Sequence, residues 1–132
     1  MKARHLAWAA AVIGGRFELE LAAEVLERDP LDLAEPLAAL ERAQVFGDGG
    51  FSHDLLAEAA AAQAPAAVRS LLHARSARAL QRRGARPGVV AAHLLAAGDE
   101  RAAAPLLSQA AQEAELALDL AAAERDYGRA GE

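Results

Sequence analysis

Val45-Phe46-Gly47-Asp48-Gly49-Gly50-Phe51-Ser52 followed by His53-Asp54-Leu55-Leu56 is the stretch on which the fold turns. Two short apolar pairs, Val45-Phe46 and Phe51-Ser52, flank a glycine-rich turn over residues 47–50, which predicts a minimal β-hairpin. An alanine-rich run follows, so His53 and Asp54 stand where a strand hands over to a helix, expected at about residues 54–62. Asp54 is predicted to cap the unpaired N–H groups of that helix. His53 then lies just outside the helix start, where backbone donors and the helix dipole favour an anion. The plain alternative is a capping aspartate beside a surface histidine.

Upstream, residues 4–13 read as a helix with Leu6, Ala9, Ala10 and Ile13 on one face, Trp8 towards its side, and Gly14-Gly15 as its stop. Phe17 to Leu21 alternates for one step like a strand and then turns helical, with Leu21 and Val25 on one face and Glu20, Glu24, Glu27 and Arg28 opposite. Asp29-Pro30 breaks that helix. Either Glu35 caps the next one with Pro36 at its first position, or a looser turn begins at Asp32. Leu33, Leu37 and Leu40 form its buried side. Three helices and then a small hairpin is the order of a winged helix-turn-helix.

Downstream, Ala64-Pro65 separates the helix after His53 from a basic helix at about residues 66–83, whose apolar side is Val68, Leu72, Ser76 and Ala79. Gly84 and Pro87-Gly88 close it. A short helix follows over residues 89–97. Asp99 is predicted to cap another, kinked at Pro105 and ending near Ala114, before a last helix over residues 119–130. The fold class expected is therefore mainly α: a winged helix-turn-helix with a minimal hairpin, then helical hairpins. The division expected is a winged-helix domain over 1–64, a connecting basic helix over 65–86 and the start of a helical repeat over 87–132.

Composition narrows the function classes. Of the 132 residues 38 are alanine and only 4% are aromatic, which favours helices packed closely around thin cores. The absence of cysteine excludes disulfides and thiolate metal sites, and a cytoplasmic location is expected. No run of about 18 apolar residues lacks charges, so no membrane span is expected. No Gly-rich phosphate loop ending in Lys-Ser/Thr occurs, and His5, His53, His73 and His93 include no His-x3-His pair. Adjacent Ser52, His53 and Asp54 cannot adopt the geometry of a nucleophilic triad. The expectation is a chain with no catalytic residues, no metal and no cofactor of its own.

Charge is distributed unevenly. Residues 15–54 hold ten acidic side chains against three arginines, whereas residues 65–86 hold six arginines and no acid. On a regular helix Arg75, Arg78, Arg82 and Arg86 fall within about 80° of arc, either a solvated face or a contact stripe for an acidic partner. The would-be recognition helix offers Asp32, Glu35, Glu41, Arg42 and Gln44, a surface that repels phosphate and speaks against direct DNA binding.

Several stretches resemble bacterial STAND-type ATPase transcriptional regulators of the LuxR/MalT-like kind. The His53-Asp54 pair is similar to the histidine-aspartate motif of the winged-helix domain in STAND NTPases, known as the "MHD" motif in plant immune receptors, with Ser52 at the methionine position. Ala10-Ala11-Val12-Ile13-Gly14-Gly15-Arg16-Phe17 resembles the "AAVLGRRF" opening of the regulators' winged helix. Ala92-His93-Leu94-Leu95-Ala96-Ala97-Gly98-Asp99-Glu100-Arg101-Ala102 resembles the "HWLAAGDPERA" stretch that introduces their tetratricopeptide repeats. Leu107 and Ala111 then fit the first helix of such a repeat and Ala123, Tyr127 and Ala130 the second, although Leu118 stands where the inter-helix glycine belongs; a plain helical hairpin is the alternative.

The resemblance implies a regulatory segment of a longer protein. An upstream ATPase domain would bind ADP or ATP, downstream repeats would sense a signal, and His53 with Asp54 would face the nucleotide phosphates. Protein partners are implied, together with self-association through an uncovered C-terminal helix. A DNA-binding winged-helix module and a free-standing helical adaptor are the other two readings.

Overall fold

The structure, a computed structural model, describes residues 2–130, and the side chains of residues 3–125. The chain is mainly helical, with one small antiparallel sheet. Helices α1 (Lys2–Ile13) and α2 (Leu19–Leu26) precede a 3-10 turn (Pro30–Leu33) that runs into α3 (Ala34–Arg42). Strands β1 (Phe46–Gly47) and β2 (Gly50–Phe51) follow, then α4 (Asp54–Gln63), α5 (Ala66–Arg82), α6 (Pro87–Ala96) and α7 (Glu100–Ala130).

The first helix is the centre of the molecule and touches α2, α3, α4 and α5. Sequence periodicity gives it one buried face, but Leu6, Ala7, Ala9 and Val12 are all buried. At 100° per residue these four directions span about 220°. Its alanines let neighbours approach from both sides. Leu6 and Ala7 join Ala22, Ala23, Leu33, Leu40, Phe46 and Ala60 in one cluster, while Ala9 and Val12 join Leu21, Val25, Leu72 and Ala79 in a second. Helix α5 thus shares a core with α1 and α2.

Local chemistry explains the breaks. Glu27 adopts a left-handed conformation (φ 56°) after α2, and the Arg28 N–H reaches back to the Ala23 carbonyl at 2.9 Å. Asp29 then accepts from the Leu31 N–H at 2.9 Å, with Pro30 opening the 3-10 turn. Neither Glu35 nor Asp32 therefore starts this segment: α3 grows directly from the turn, which absorbs Pro36 in its first helical positions. Leu33 and Leu40 are buried and Leu37 is half-buried, as the spacing predicts.

The hairpin turn is shorter than expected. Phe46 pairs with Phe51 and Gly47 with Gly50, which leaves only Asp48-Gly49 in the loop. Gly49 (φ 83°) takes the positive φ that such a tight turn requires. The Phe17 N–H donates to the Gly49 carbonyl at 2.8 Å, so the segment between α1 and α2 lies against the hairpin. All three phenylalanines of the chain stack edge to face, Phe17 on Phe46 at 5.1 Å and Phe46 on Phe51 at 4.8 Å.

The last helix departs furthest from expectation. The break expected between residues 114 and 119 does not occur, and α7 runs unbroken for 31 residues through Pro105. Glu115-Leu116-Ala117-Leu118 contains only good helix formers and no stop signal, so local propensity carries the helix on. Leu107 and Ala111 consequently do not pack against Ala123: residues 107 and 123 lie about 24 Å apart on one rod. All three are exposed, while Tyr127 and Ala130 lie outside the residues whose side chains are described. Asp99 does cap α7, accepting from the Ala102 N–H at 3.1 Å. The α6–α7 contact ends near Ala110, whose Cβ is 3.7 Å from a Cβ placed on Gly88. From residue 111 to 125 every side chain is exposed, including Leu116, Leu118 and Leu120. Among the described residues no helix is long and apolar enough to cross a membrane.

Candidate functional site

The hairpin delivers His53 to the start of α4. Ser52 fastens its base: the Ser52 hydroxyl donates to the Gln44 carbonyl at 2.6 Å, and the Ser52 N–H to the Val45 carbonyl at 2.9 Å. His53 follows in an extended conformation and is itself the cap, its Nδ1 accepting from the Leu55 N–H at 3.1 Å. Asp54 is not the cap; it occupies the first helical position, where its charge meets the positive end of the helix dipole. An imidazole that accepts through Nδ1 carries its proton, when neutral, on Nε2. His53 is exposed, so the ring offers solvent an N–H donor beside a helix start.

The arginines expected to form one contact stripe have different fates. Arg82 pairs with Glu24 of α2 at 2.6 Å, and its neighbour Arg83 reaches the other oxygen of the same carboxylate at 3.2 Å. Arg75 pairs with Glu27 at 3.5 Å and donates to the Val25 carbonyl at 3.2 Å. Helix α5 ends at Arg82, so Arg86 caps α6 from outside the stripe. Only Arg78 remains exposed on α5 with no ion pair among the described residues. The basic helix has thus found its acidic surface within the chain, on α2, whose glutamates were separated from it by some fifty residues of sequence. Glu24→Gln should cost about 1 kcal/mol at low ionic strength, because one carboxylate serves two arginines, and less at high salt, because the groups are partly exposed. Urea unfolding at two salt concentrations measures this; a cost independent of salt would contradict it.

Sequence reasoning missed a second histidine site. His73 on α5 and His93 on α6 face each other with Nδ1 to Nδ1 at 2.8 Å, their rings tilted by 40°. His93 is buried and His73 half-buried. One ring must donate and the other accept, which requires at least one Nδ1 without a proton. Burial lowers the pKa of His73, with a further push from Arg69; burial lowers that of His93, with a push from His73, while a hydrogen bond to the Ile13 backbone opposes the shift. The pair ties α5 to α6 near the end of α1. Twenty residues separate the two rings, and no spacing rule reports a contact between consecutive helices at that distance. Among the described residues no group of three or more side chains could hold a metal ion.

Compared with known proteins, the chain matches no family model, no curated protein and no solved structure.

Proposed function

We propose that this chain is a non-catalytic regulatory and protein-interaction segment of a STAND-type signalling ATPase or transcriptional regulator. On this reading residues 1–64 are a winged-helix domain that meets an ATPase domain. The later helices pass its state to a repeat region of tetratricopeptide type, which sits beyond the α6–α7 hairpin and not within α7. The observation that carries the reading is the tautomer imposed on His53. With Nδ1 occupied by the Leu55 N–H at 3.1 Å, the outer nitrogen is the donor, and on this reading it is the group offered to a phosphate oxygen of ADP. The acidic α3 surface supports protein contact over DNA contact. The uncovered Leu116 and Leu120, one helical turn apart on α7, support docking of a partner or of a second copy.

The test separates capping from nucleotide contact. In the isolated chain His53→Ala should lose about 1 kcal/mol of stability with the cap, whereas His53→Asn, whose amide oxygen can cap, should lose only a few tenths. In the intact regulator His53→Ala removes the outer donor, and His53→Asn leaves only an amide NH2 on a shorter side chain, which falls short of the position of the imidazole Nε2. Both should therefore speed ADP release by about 10- to 150-fold, the equivalent of one charge-assisted hydrogen bond of about 1.5–3 kcal/mol. Unchanged ADP release in the His53→Asn protein would reduce His53 to a helix cap.

A further inference from the structure

An apolar cleft of about 280 Å³ lies beside Trp8, between α1, the 3-10 turn and α5, but opposite charges line its mouth: Arg28 and Asp32, with Arg75 held by Glu27. Nothing there selects one class of ligand. The outer part of α7 does select. Residues 111–125 carry four acids, Glu113, Glu115, Asp119 and Glu124, against the single Arg125. None of the four acids makes an ion pair among the described residues. Their placement around the helix is ordered. At 100° per residue Leu116 and Leu120 point within about 40° of each other, and Ala123 lies about 20° to the side of Leu116. Glu113 and Glu124 border this stripe about 20–40° beyond Leu120, while Asp119 and Glu115 border it about 60–100° beyond Leu116. Arg125 lies about 180° from Leu116, on the opposite side of the helix.

We infer that the stripe of Leu116, Leu120 and Ala123 docks an amphipathic helix of a partner protein whose own apolar stripe is bordered by lysine or arginine. The leucines supply the buried contact, and the acids on both borders meet the partner's basic side chains, as flanking charges do in paired helices. A second copy does not fit this stripe. Both of its borders are acidic, so parallel and antiparallel self-pairing alike set acid against acid. Nucleic acid and anionic lipid are disfavoured by the same charge. The contact is short: residues 113–124 span about 18 Å, so the complex is weak and transient. The inference deepens the protein-interaction reading above and rests on it only in using α7 as a docking surface. Its test uses the isolated chain, whereas the test of that reading uses ADP release in an intact regulator.

The probe is a fluorescently labelled 21-residue synthetic helix with one leucine stripe bordered by lysines, and its control carries glutamate in place of each lysine. Anisotropy titration should show saturable binding of the lysine peptide with a Kd of about 10–100 µM at low salt, weakening as salt rises. The glutamate peptide should bind at least about tenfold more weakly. Leu116→Ala combined with Leu120→Ala should weaken the lysine peptide at least about tenfold. Asp119→Asn combined with Glu124→Gln should weaken it about threefold to tenfold. Leu118→Ala should leave binding unchanged, because Leu118 is as exposed (67%, against 61% for Leu116) but points about 160° away from Leu116. All these residues are exposed, so no variant threatens the fold. No binding of the lysine peptide at about 1 mM protein would overturn the inference. So would equal binding of the two peptides, or a loss in the Leu118→Ala chain equal to that in the Leu116→Ala, Leu120→Ala chain, since that would mean adsorption to α7 without regard to face.

Discussion

Leu6→Ala is expected to destabilise the chain by about 3–5 kcal/mol. Leu6 is fully buried on the helix against which α2, α3, α4 and α5 all pack. The substitution removes the transfer free energy of its buried carbons and leaves a cavity. The walls can close that cavity only by shifting helices already in contact through alanines. Neighbours such as Ala7, Ala22, Ala23 and Ala60 have no spare side chain to swing into the space. Domains of this size are stable by about 5–15 kcal/mol in total, and thin alanine cores place this one towards the lower end. The variant should therefore be substantially unfolded at moderate temperature. Leu120→Ala supplies the comparison: Leu120 is 59% exposed on α7, and its loss should change stability by no more than about 0.5 kcal/mol. Urea unfolding followed by far-ultraviolet circular dichroism measures both. A Leu6→Ala cost below about 1 kcal/mol would mean that α1 is not the centre of the core.

Acidification is expected to destabilise the chain through His73 and His93. Both have folded-state pKa values lowered from the ordinary value, chiefly by burial. The unfolded chain therefore binds protons at a higher pH than the folded one does. Stability from the neutral pair is fully present above the unfolded value of about 6.5 and is lost as the pH falls below it. The slope is bounded at about 1.4 kcal/mol per pH unit for each histidine. Arg69 beside His73 steepens the effect, and the hydrogen bond from His93 to Ile13 softens it. Thermal unfolding at a series of pH values between about 5 and 7.5 should show this loss. In His93→Gln one titrating ring is gone, and the slope should fall by about half. A variant with the wild-type slope would place the pH dependence elsewhere in the molecule.

The sequence by itself determined the order of the elements and most of their boundaries. Gly14-Gly15, Asp29-Pro30, Ala64-Pro65, Gly84 and Gly98-Asp99 end or restart helices because their backbone preferences act locally, whatever surrounds them. The hairpin was legible for the same reason, and so was the cap at Asp99. The failures within this local class came from misjudged competition. His53 took the cap that Asp54 was expected to take, and α7 ran through residues 115–118 where no residue opposes a helix. Tertiary structure decided what local preference cannot encode. The burial of α1 over more than half its girth depends on helices arriving from both sides, and a single apolar stripe in the sequence reports only one of them. The ion pairs of Arg75, Arg82 and Arg83 with Glu27 and Glu24, the contact of His73 with His93, and the cleft beside Trp8 each join residues from different helices. Charge counts along the chain revealed the acidic and basic segments, but only the packing of α5 against α2 showed that they answer each other, because electrostatic attraction acts on distance in space and not on distance in sequence.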